Sequence, residues 1–222
     1  MPVIESRKLK KSYRLQAREI LILDEIDLAV ESGEFLVISG NSGSGKTTLL
    51  SLLSGLDRPD SGSVFIQDKE ISLLSEEEMA PLRNRIFGFV FQSFHLIPSL
   101  TALENVMLPA ELCKDSAARE KAVRLLERVG LGQRHANFPP QLSGGEKQRV
   151  AICRALINDP KIIFADEPTG NLDSEHSRAV LDILCNLQEE QHASLILVTH
   201  SAEIAARADR VIRLKDGKIQ SV

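Results

Sequence analysis

A chain of 222 residues, 43% hydrophobic and 26% charged, exceeds one average domain but falls short of two, which favours one sizeable core with a subordinate lobe. Its formal net charge of −4 gives no electrostatic reason to expect a polyanion, so nucleic acid is not an expected partner. Cys113, Cys153 and Cys185 are odd in number, widely spaced and without a Cys-x-x-Cys, which argues against a disulfide framework or a zinc site and for a reducing cytosol.

Met1-Pro2-Val3-Ile4-Glu5 lacks the apolar stretch of a signal peptide, and no run approaches the ~18 apolar residues of a spanning helix. Any membrane component is therefore expected from another chain. Val3 to Lys11 and Ile20 to Val30 read as strands, with Tyr13, the only tyrosine, just after the first. Glu31-Ser32-Gly33-Glu34 turns the chain into the apolar run Phe35-Leu36-Val37-Ile38, and Gly40-Asn41-Ser42-Gly43-Ser44-Gly45-Lys46-Thr47-Thr48 follows. A strand feeding such a loop and then a helix is a phosphate cradle. Its glycines let successive N–H groups converge on phosphate oxygens at a helix N-terminus. Lys46 adds charge for the β- and γ-phosphates, and the Thr47 hydroxyl is placed to ligate Mg²⁺. A nucleoside triphosphate is the expected ligand.

The helix that follows carries Leu49, Leu50, Leu52 and Leu53 and is expected to stop with Gly55 at C′. Ser63 to Ile66 reads as a strand with a turn at Asp68-Lys69, and Ser75 with Glu78 forms a capping box opening a helix that Pro81 should kink or shorten. Ile86 to Phe91 resumes strand character and ends at Gln92. From Ser93 to about Asn158 the pattern is helical, with Ala118, Ala122, Leu125, Leu126 and Val129 on one face before Gly130. Ile162 to Ala165 is a second buried strand, followed by a helix with Val180, Ile183, Leu184 and Leu187 on one face. Leu195 to Val198 is a third, and Val211 to Leu214 with Asp216-Gly217 suggests a closing hairpin. Apolar strands alternating with helices imply an α/β fold with a mainly parallel sheet.

Asp166 and Glu167 stand at the end of the second buried strand, the edge at which ligands gather in such sheets. Asp166 would hold the metal, directly or through its water, and Glu167 would polarise the water that attacks the γ-phosphate. His200, ending the third strand, would hydrogen-bond the γ-phosphate, and Gln92 would sense metal and water from another strand end. Leu142-Ser143-Gly144-Gly145-Glu146-Lys147-Gln148 is a second anion cradle, with Ser143 as N-cap and two glycines leaving the first N–H groups bare. A dimer explains the second cradle: each chain's Ser143, Gly144 and Gly145 would close on the γ-phosphate held by the other.

These motifs, in this order, resemble those of an ABC transporter ATPase subunit along essentially the whole chain, with Asn171-Leu172-Asp173 as the D-loop and His200 as the switch histidine. The resemblance implies an L-shaped P-loop NTPase with a RecA-like core, an antiparallel β subdomain and a helical subdomain bearing the signature. Residues 1–92 and 159–222 would form the nucleotide-binding core and 93–158 the helical part. It implies ATP and Mg²⁺ as cofactors, with Tyr13 stacking on adenine and with Thr47, Gln92 and Asp166 around the metal. Lys46, Gln92, Glu167 and His200 would carry catalysis, and Asp173 would join the nucleotide contacts. Phe91 to Pro98, Ala102 to Val106 and Glu167 to Asp173 are similar to the subfamily of LolD, MacB and YbbA. That similarity implies a homodimer on the cytoplasmic side of the inner membrane, peripheral through a permease of four transmembrane helices with a large extracytoplasmic domain. The stretch after Gln92 would receive the permease.

Two positions depart from the pattern, Cys153 where Ala is usual and Pro81 inside a helix that relatives often leave unbroken. The implied function is an ATPase powering export, lipoprotein release or extraction of hydrophobic substrates, with Ser93-Phe94 and Leu96-Ile97-Pro98 leaning toward YbbA-like proteins. The alternative is a cell-division ATPase regulating envelope hydrolases without transport. The stretch between Lys46 and Asp166 is too short for the coiled-coil arms of DNA-repair and chromosome ATPases, and no repeat suggests the paired cassettes of a translation factor. Intact Glu167 and His200 oppose a degenerate regulatory cassette.

Overall fold

The computed structural model describes residues Pro2–Leu15 and Arg18–Gln220. In chain order the elements begin with β1 (Pro2–Leu15), β2 (Arg18–Glu31), β3 (Phe35–Ser39), α1 (Lys46–Leu53), β4 (Ser61–Ile66) and β5 (Lys69–Glu70). Then come α2 (Glu76–Ile86), β6 (Phe87–Phe91), α3 (Ala102–Leu112), α4 (Ala118–Arg128), a 3-10 turn at Pro139–Gln141 and α5 (Gly144–Leu156). The chain closes with β7 (Ile162–Asp166), α6 (Ser174–Glu190), β8 (Ser194–Val198), α7 (Ala202–Ala205), β9 (Arg210–Lys215) and β10 (Lys218–Gln220). Two compact units result, Met1–Arg83 with Ser194–Val222, and Asn84–Ala193.

The first unit holds an antiparallel sheet in the order β2-β1-β4-β5. It also holds a parallel set in which β3 pairs with β8 on one side and β9 on the other. Leu36, Val37 and Ile38 of β3 and Leu195 to Val198 of β8 are fully buried, as expected of unbroken apolar strands covered on both faces. Helix α1 rests against β8 with Leu49, Leu50, Leu52 and Leu53 buried. It ends at Ser54, and Gly55 follows with φ 63°, the left-handed stop expected at that position.

Two expectations in this unit change. Strand β1 is longer than the sequence pattern suggests, so Tyr13 lies within it, paired with Ile20 of β2, and not after its end. The charged residues at the far end of β1 hide the strand from a hydrophobic reading, but backbone pairing to β2 carries it on. Of the two outcomes expected at Pro81, kinking or shortening, the second does not occur: α2 runs from Glu76 through Ile86. Both Pro81 and Glu77, the residue four positions earlier whose carbonyl loses its helical donor, are exposed, so the missing bond falls on the solvent side of the helix and not in the core.

In the second unit β6 and β7 pair in parallel, Phe87↔Ile162 through Phe91↔Asp166. Phe164 anchors them, meeting Phe87 edge-on at 5.2 Å and Phe89 stacked at 5.7 Å. Helix α5 packs on β6 and on α3, α4 and α6, burying Val150, Ala151, Ile152, Cys153 and Leu156. The Cys153 thiol is pushed up to about 12 by burial, so it acts as a small apolar side chain in the place of the usual alanine. Helix α4 buries Ala118, Ala122, Leu125 and Leu126 and stops at Gly130, whose φ is 74°.

Candidate functional site

In the first unit the phosphate loop leaves the end of β3 and enters α1 through Gly45, which caps the helix in the left-handed region at φ 99°. A β-carbon at Gly40 would collide with the Leu214 carbonyl oxygen and come within 2.7 Å of Ser44 Oγ, so only glycine lets the loop curl so tightly against β9. The first turn of α1 carries no acidic residue, leaving its positive dipole end unopposed. Lys46 is only 7% exposed, and its Nζ donates to the carbonyls of Gly40 and Asn41, each at 3.0 Å. The loop thus holds its own cation at its centre. Ser44 Oγ is buried without a hydrogen-bond partner, a polar atom that a phosphate oxygen would satisfy. A cleft of about 640 Å³ flanks the loop, lined by Asn41, Ser42, Gly43 and Ser44 with Arg213, Lys215 and Asp216.

His200 follows β8, and the parallel register Ile38↔Val198 brings it to the same sheet edge as the phosphate loop. Thr47 is exposed in the first turn of α1, while Thr48 behind it is half-buried. Tyr13 is 41% exposed and donates its hydroxyl to Asp57 Oδ2 at 2.7 Å.

In the second unit, the pairing Phe91↔Asp166 brings Gln92 and the Asp166-Glu167 pair to one end of β6 and β7. Gln92 is exposed and its Nε2 donates to Asn171 Oδ1 at 3.3 Å, while Asn171 Nδ2 donates to the Gln92 carbonyl at 3.0 Å. Glu167 is half-buried and has φ 45°, a left-handed conformation that costs a residue with a β-carbon energy and recurs at functional sites. Its carbonyl accepts from Gly170 N at 3.0 Å, closing the turn toward Asn171.

Ser143 caps α5: its hydroxyl accepts from Glu146 N at 3.2 Å, and Glu146 Oε2 accepts from Ser143 N at 2.8 Å. The Ser143 backbone bond, its leading cause, holds the Glu146 carboxyl below the usual range. Gly144 and Gly145 are the places where another segment comes close, since added β-carbons would lie 3.2 Å from Leu172 Cδ2 and 3.1 Å from His176 Cδ2. Asp173 caps α6 by accepting from His176 N at 3.0 Å, and it also bonds the His176 ring. The signature glycines and the Leu172-Asp173 turn are therefore fitted to each other within one unit.

The structure adds residues that the sequence motifs do not single out. His176 links Asp173 to Gly145, and Arg154 of α5 donates to the Phe94 carbonyl at 2.8 Å and to the His95 carbonyl, holding the chain after Gln92. Asn105 is fully buried and holds Ile97 through both its N–H and its carbonyl. Each is a contact between residues distant in sequence or a polar group inside an apolar face, so no local pattern announces it. Asp57 carries one faint signal, its place in the turn-forming run Gly55 to Pro59. Of the residues expected at the metal, Thr47 belongs to the first unit and Gln92 and Asp166 to the second, each with the hard oxygen that Mg²⁺ prefers, and no cluster of three or more His, Cys, Asp or Glu suited to a metal occurs among the described residues.

A family model described as ABC transporter matches residues 19–170. The chain is 49% identical to the lipoprotein-releasing system ATP-binding protein LolD 2 of Chlorobaculum tepidum, over 99% of this chain and 92% of the relative. It is 47% identical to the macrolide export ATP-binding/permease protein MacB of Syntrophobacter fumaroxidans over 99% of this chain but 31% of that protein. It thus spans about a third of the length of the MacB relatives it matches. Among solved structures, the dimeric post-hydrolysis state of the ATP-binding cassette MJ0796 bound to ADP and Pi superposes with a TM-score of 0.90 at 40% identity, covering 98% of this chain and 97% of that one.

Proposed function

The chain is an ATPase of the ABC transporter family, and on that premise we propose that two copies close head to tail on ATP to power a membrane permease acting on lipid-linked or hydrophobic cargo of the cell envelope. The observation that carries the reading is the presence of two anion cradles in one chain, α1 behind the glycine loop and α5 behind Ser143-Gly144-Gly145. One serves the chain's own phosphates and the other those of its partner copy.

In this reading the loop N–H groups of Asn41 to Thr48 and the Lys46 ammonium bind the phosphates, and Lys46 follows the charge as it develops on the transferred group. Tyr13 stacks on adenine, worth roughly 1 to 3 kcal/mol by analogy with base stacking on aromatics. Thr47, Gln92 and Asp166 would hold Mg²⁺, which when bound would neutralise phosphate charge. Glu167 accepts the proton of the attacking water, His200 orients that water against the γ-phosphate, and Asp173 joins the nucleotide contacts. Residues 1–92 with 159–222 act as the nucleotide-binding core and 93–158 as the helical part that meets the permease. The LolD-named relatives support lipoprotein release and the MacB-named ones export, and in this reading the chain works from the cytoplasmic side of the membrane.

The partner decides the cargo. Tagged Glu167→Gln protein, purified with Mg-ATP from detergent-solubilised native membranes and analysed by mass spectrometry, is expected to retain a permease of four transmembrane helices with a large extracytoplasmic domain. Recovery of cell-division proteins would move the function to envelope regulation. Recovery of ribosomal or DNA-associated proteins without a permease would overturn the transporter reading and leave the ATPase standing.

A further inference from the structure

Strand β1 has neighbours on both sides only in its first part. Its pairing with β4 ends at Lys10↔Ser61, whereas its pairing with β2 continues past Tyr13. Tyr13 therefore stands on a two-stranded extension, where the sheet alone fixes a side chain poorly. What fixes it is the turn after α1. Asp57 Oδ2 accepts from the Tyr13 hydroxyl at 2.7 Å, and Asp57 Oδ1 accepts from Lys11 Nζ at 2.9 Å. Lys11 is 8% exposed, donates also to the Arg58 carbonyl at 2.6 Å, and places its ammonium 5.2 Å from the Tyr13 ring centroid. Two further bonds tie the turn to the strand: Ser12 N donates to Asp60 Oδ2 at 2.6 Å and Asp60 N to the Lys10 carbonyl at 2.9 Å.

We propose that Asp57, braced by Lys11, is a positioning residue for adenine: it sets the tilt and distance of the Tyr13 ring relative to the phosphate loop, and so sets how much the base adds to nucleotide affinity. The inference rests on the reading of Tyr13 as the adenine-stacking residue. A Lys-Asp-Tyr chain is a stiff way to hold a ring, because each member removes a torsional freedom of the next. The partly exposed ring keeps an accessible surface for a base, while its hydroxyl is spent on the protein. The protonation balance agrees. Burial first and Asp57 second hold the Tyr13 phenol above its ordinary range. For Asp57 burial pushes upward, but the hydrogen bonds from Lys11 and Tyr13 prevail and leave its carboxyl below the usual range.

The test compares ADP with inorganic pyrophosphate, which shares the phosphate site and lacks the base. Asp57→Ala should weaken ADP by about three- to tenfold, part of the full stacking contribution, and leave pyrophosphate unchanged. Asp57→Asn keeps an acceptor for the phenol and should recover part of the loss. Tyr13→Phe should match Asp57→Ala, and the double variant should be no worse than either, because both remove one interaction. The chain has one tyrosine and no tryptophan, so alkaline tyrosinate absorbance reports this ring alone. In Asp57→Ala the phenol should titrate at a lower pH than in the native chain. If Tyr13→Ala leaves the ADP-to-pyrophosphate ratio unchanged, the stacking reading itself falls. If Tyr13→Ala lowers the ratio and Asp57→Ala does not, or if Asp57→Ala weakens both ligands equally, the positioning role falls alone. Should Asp57→Ala not fold, Tyr13→Phe decides: a native ratio in that variant overturns the proposal.

Discussion

Glu167 is half-buried and combines a left-handed backbone, φ 45°, with a place just past a strand whose Ile162 to Ala165 are fully buried. Strain of this kind persists only where the surrounding structure imposes it, and here the Gly170 N to Glu167 carbonyl bond closes the turn that does so. If the carboxylate is the base, Glu167→Gln should keep the fold and lower the rate of phosphate release by a factor of roughly 10² to 10⁴. Near-normal turnover would remove it from that role. The phosphate loop offers a second test at the same scale, because its glycines are not equivalent. At Gly43 a β-carbon meets nothing within 4 Å, whereas at Gly40 it strikes the Leu214 carbonyl and Ser44 Oγ. Gly43→Ala should therefore cost only the left-handed penalty of about 1 kcal/mol in urea unfolding. Gly40→Ala should cost distinctly more, because it adds a clash with backbone. Equal losses for the two variants would mean that the loop relaxes away from β9 and is not locked against it.

At the scale of elements, the segment after β6 is held from two directions. Phe91 stacks on His95 at 4.9 Å, and Arg154 of α5 donates to the carbonyls of Phe94 and His95, both of which have positive φ. Farther on, Asn105 accepts from Ile97 N at 2.8 Å and donates to the carbonyls of Ile97, Leu100 and Thr101. It lies wholly inside α3, so Asn105→Ala leaves backbone groups of the preceding loop without partners. A loss of about 2 to 4 kcal/mol in urea unfolding is expected, with the loop around Ile97 exchanging amide hydrogens faster. A loss below about 1 kcal/mol would show that water replaces the side chain. The contrast between this loop and the flanking helices explains what the sequence discloses. Caps such as the box of Ser75 with Glu78 and the Ser143 N-cap are local chemistry and were legible, though the return bond from Glu146 to Ser143 was not, and the strand ends that carry Gln92 and Asp166 were legible because unbroken apolar runs point to them. The extension of β1 past Lys11 and the tolerance of Pro81 in α2 were not, since one depends on pairing with β2 and the other on which side of the helix faces water. Within the candidate site, Lys46, Glu167 and His200 follow from motif and strand end. Asp57 and Arg154 come from other parts of the chain than the residues they hold, and His176, local to Asp173, reaches Gly145 only through tertiary folding.

For the molecule as a whole, five carboxylates held by caps and ion pairs share one direction. Backbone bonds from the helix caps hold Glu78, Glu104 and Glu146 below their ordinary value of 4.5. Lys218 first and Lys10 second hold Asp24 below 3.8, and Lys121 does the same for Asp115. Each of these groups binds a proton more weakly folded than unfolded. Between the folded and unfolded values the unfolded chain carries more protons, so unfolding free energy rises with pH there. The contribution is complete above the unfolded value and is lost as pH falls through the folded one. Stability should accordingly be level from neutrality down to about pH 5 and decline below that, with no step near pH 6.5 attributable to these groups. Glutamine at the third helical position completes a capping box as glutamate does but does not titrate. The double variant Glu104→Gln and Glu146→Gln should therefore keep both helix starts, lose some stability at neutral pH, and show a shallower acid decline than the native chain in urea unfolding followed across about pH 3 to 8. The two curves should converge at the acid end, where the native caps are protonated too. Parallel curves, offset by a constant amount at every pH, would mean that the caps act through shape alone and that the acid limb belongs to the ion pairs of Asp24 and Asp115.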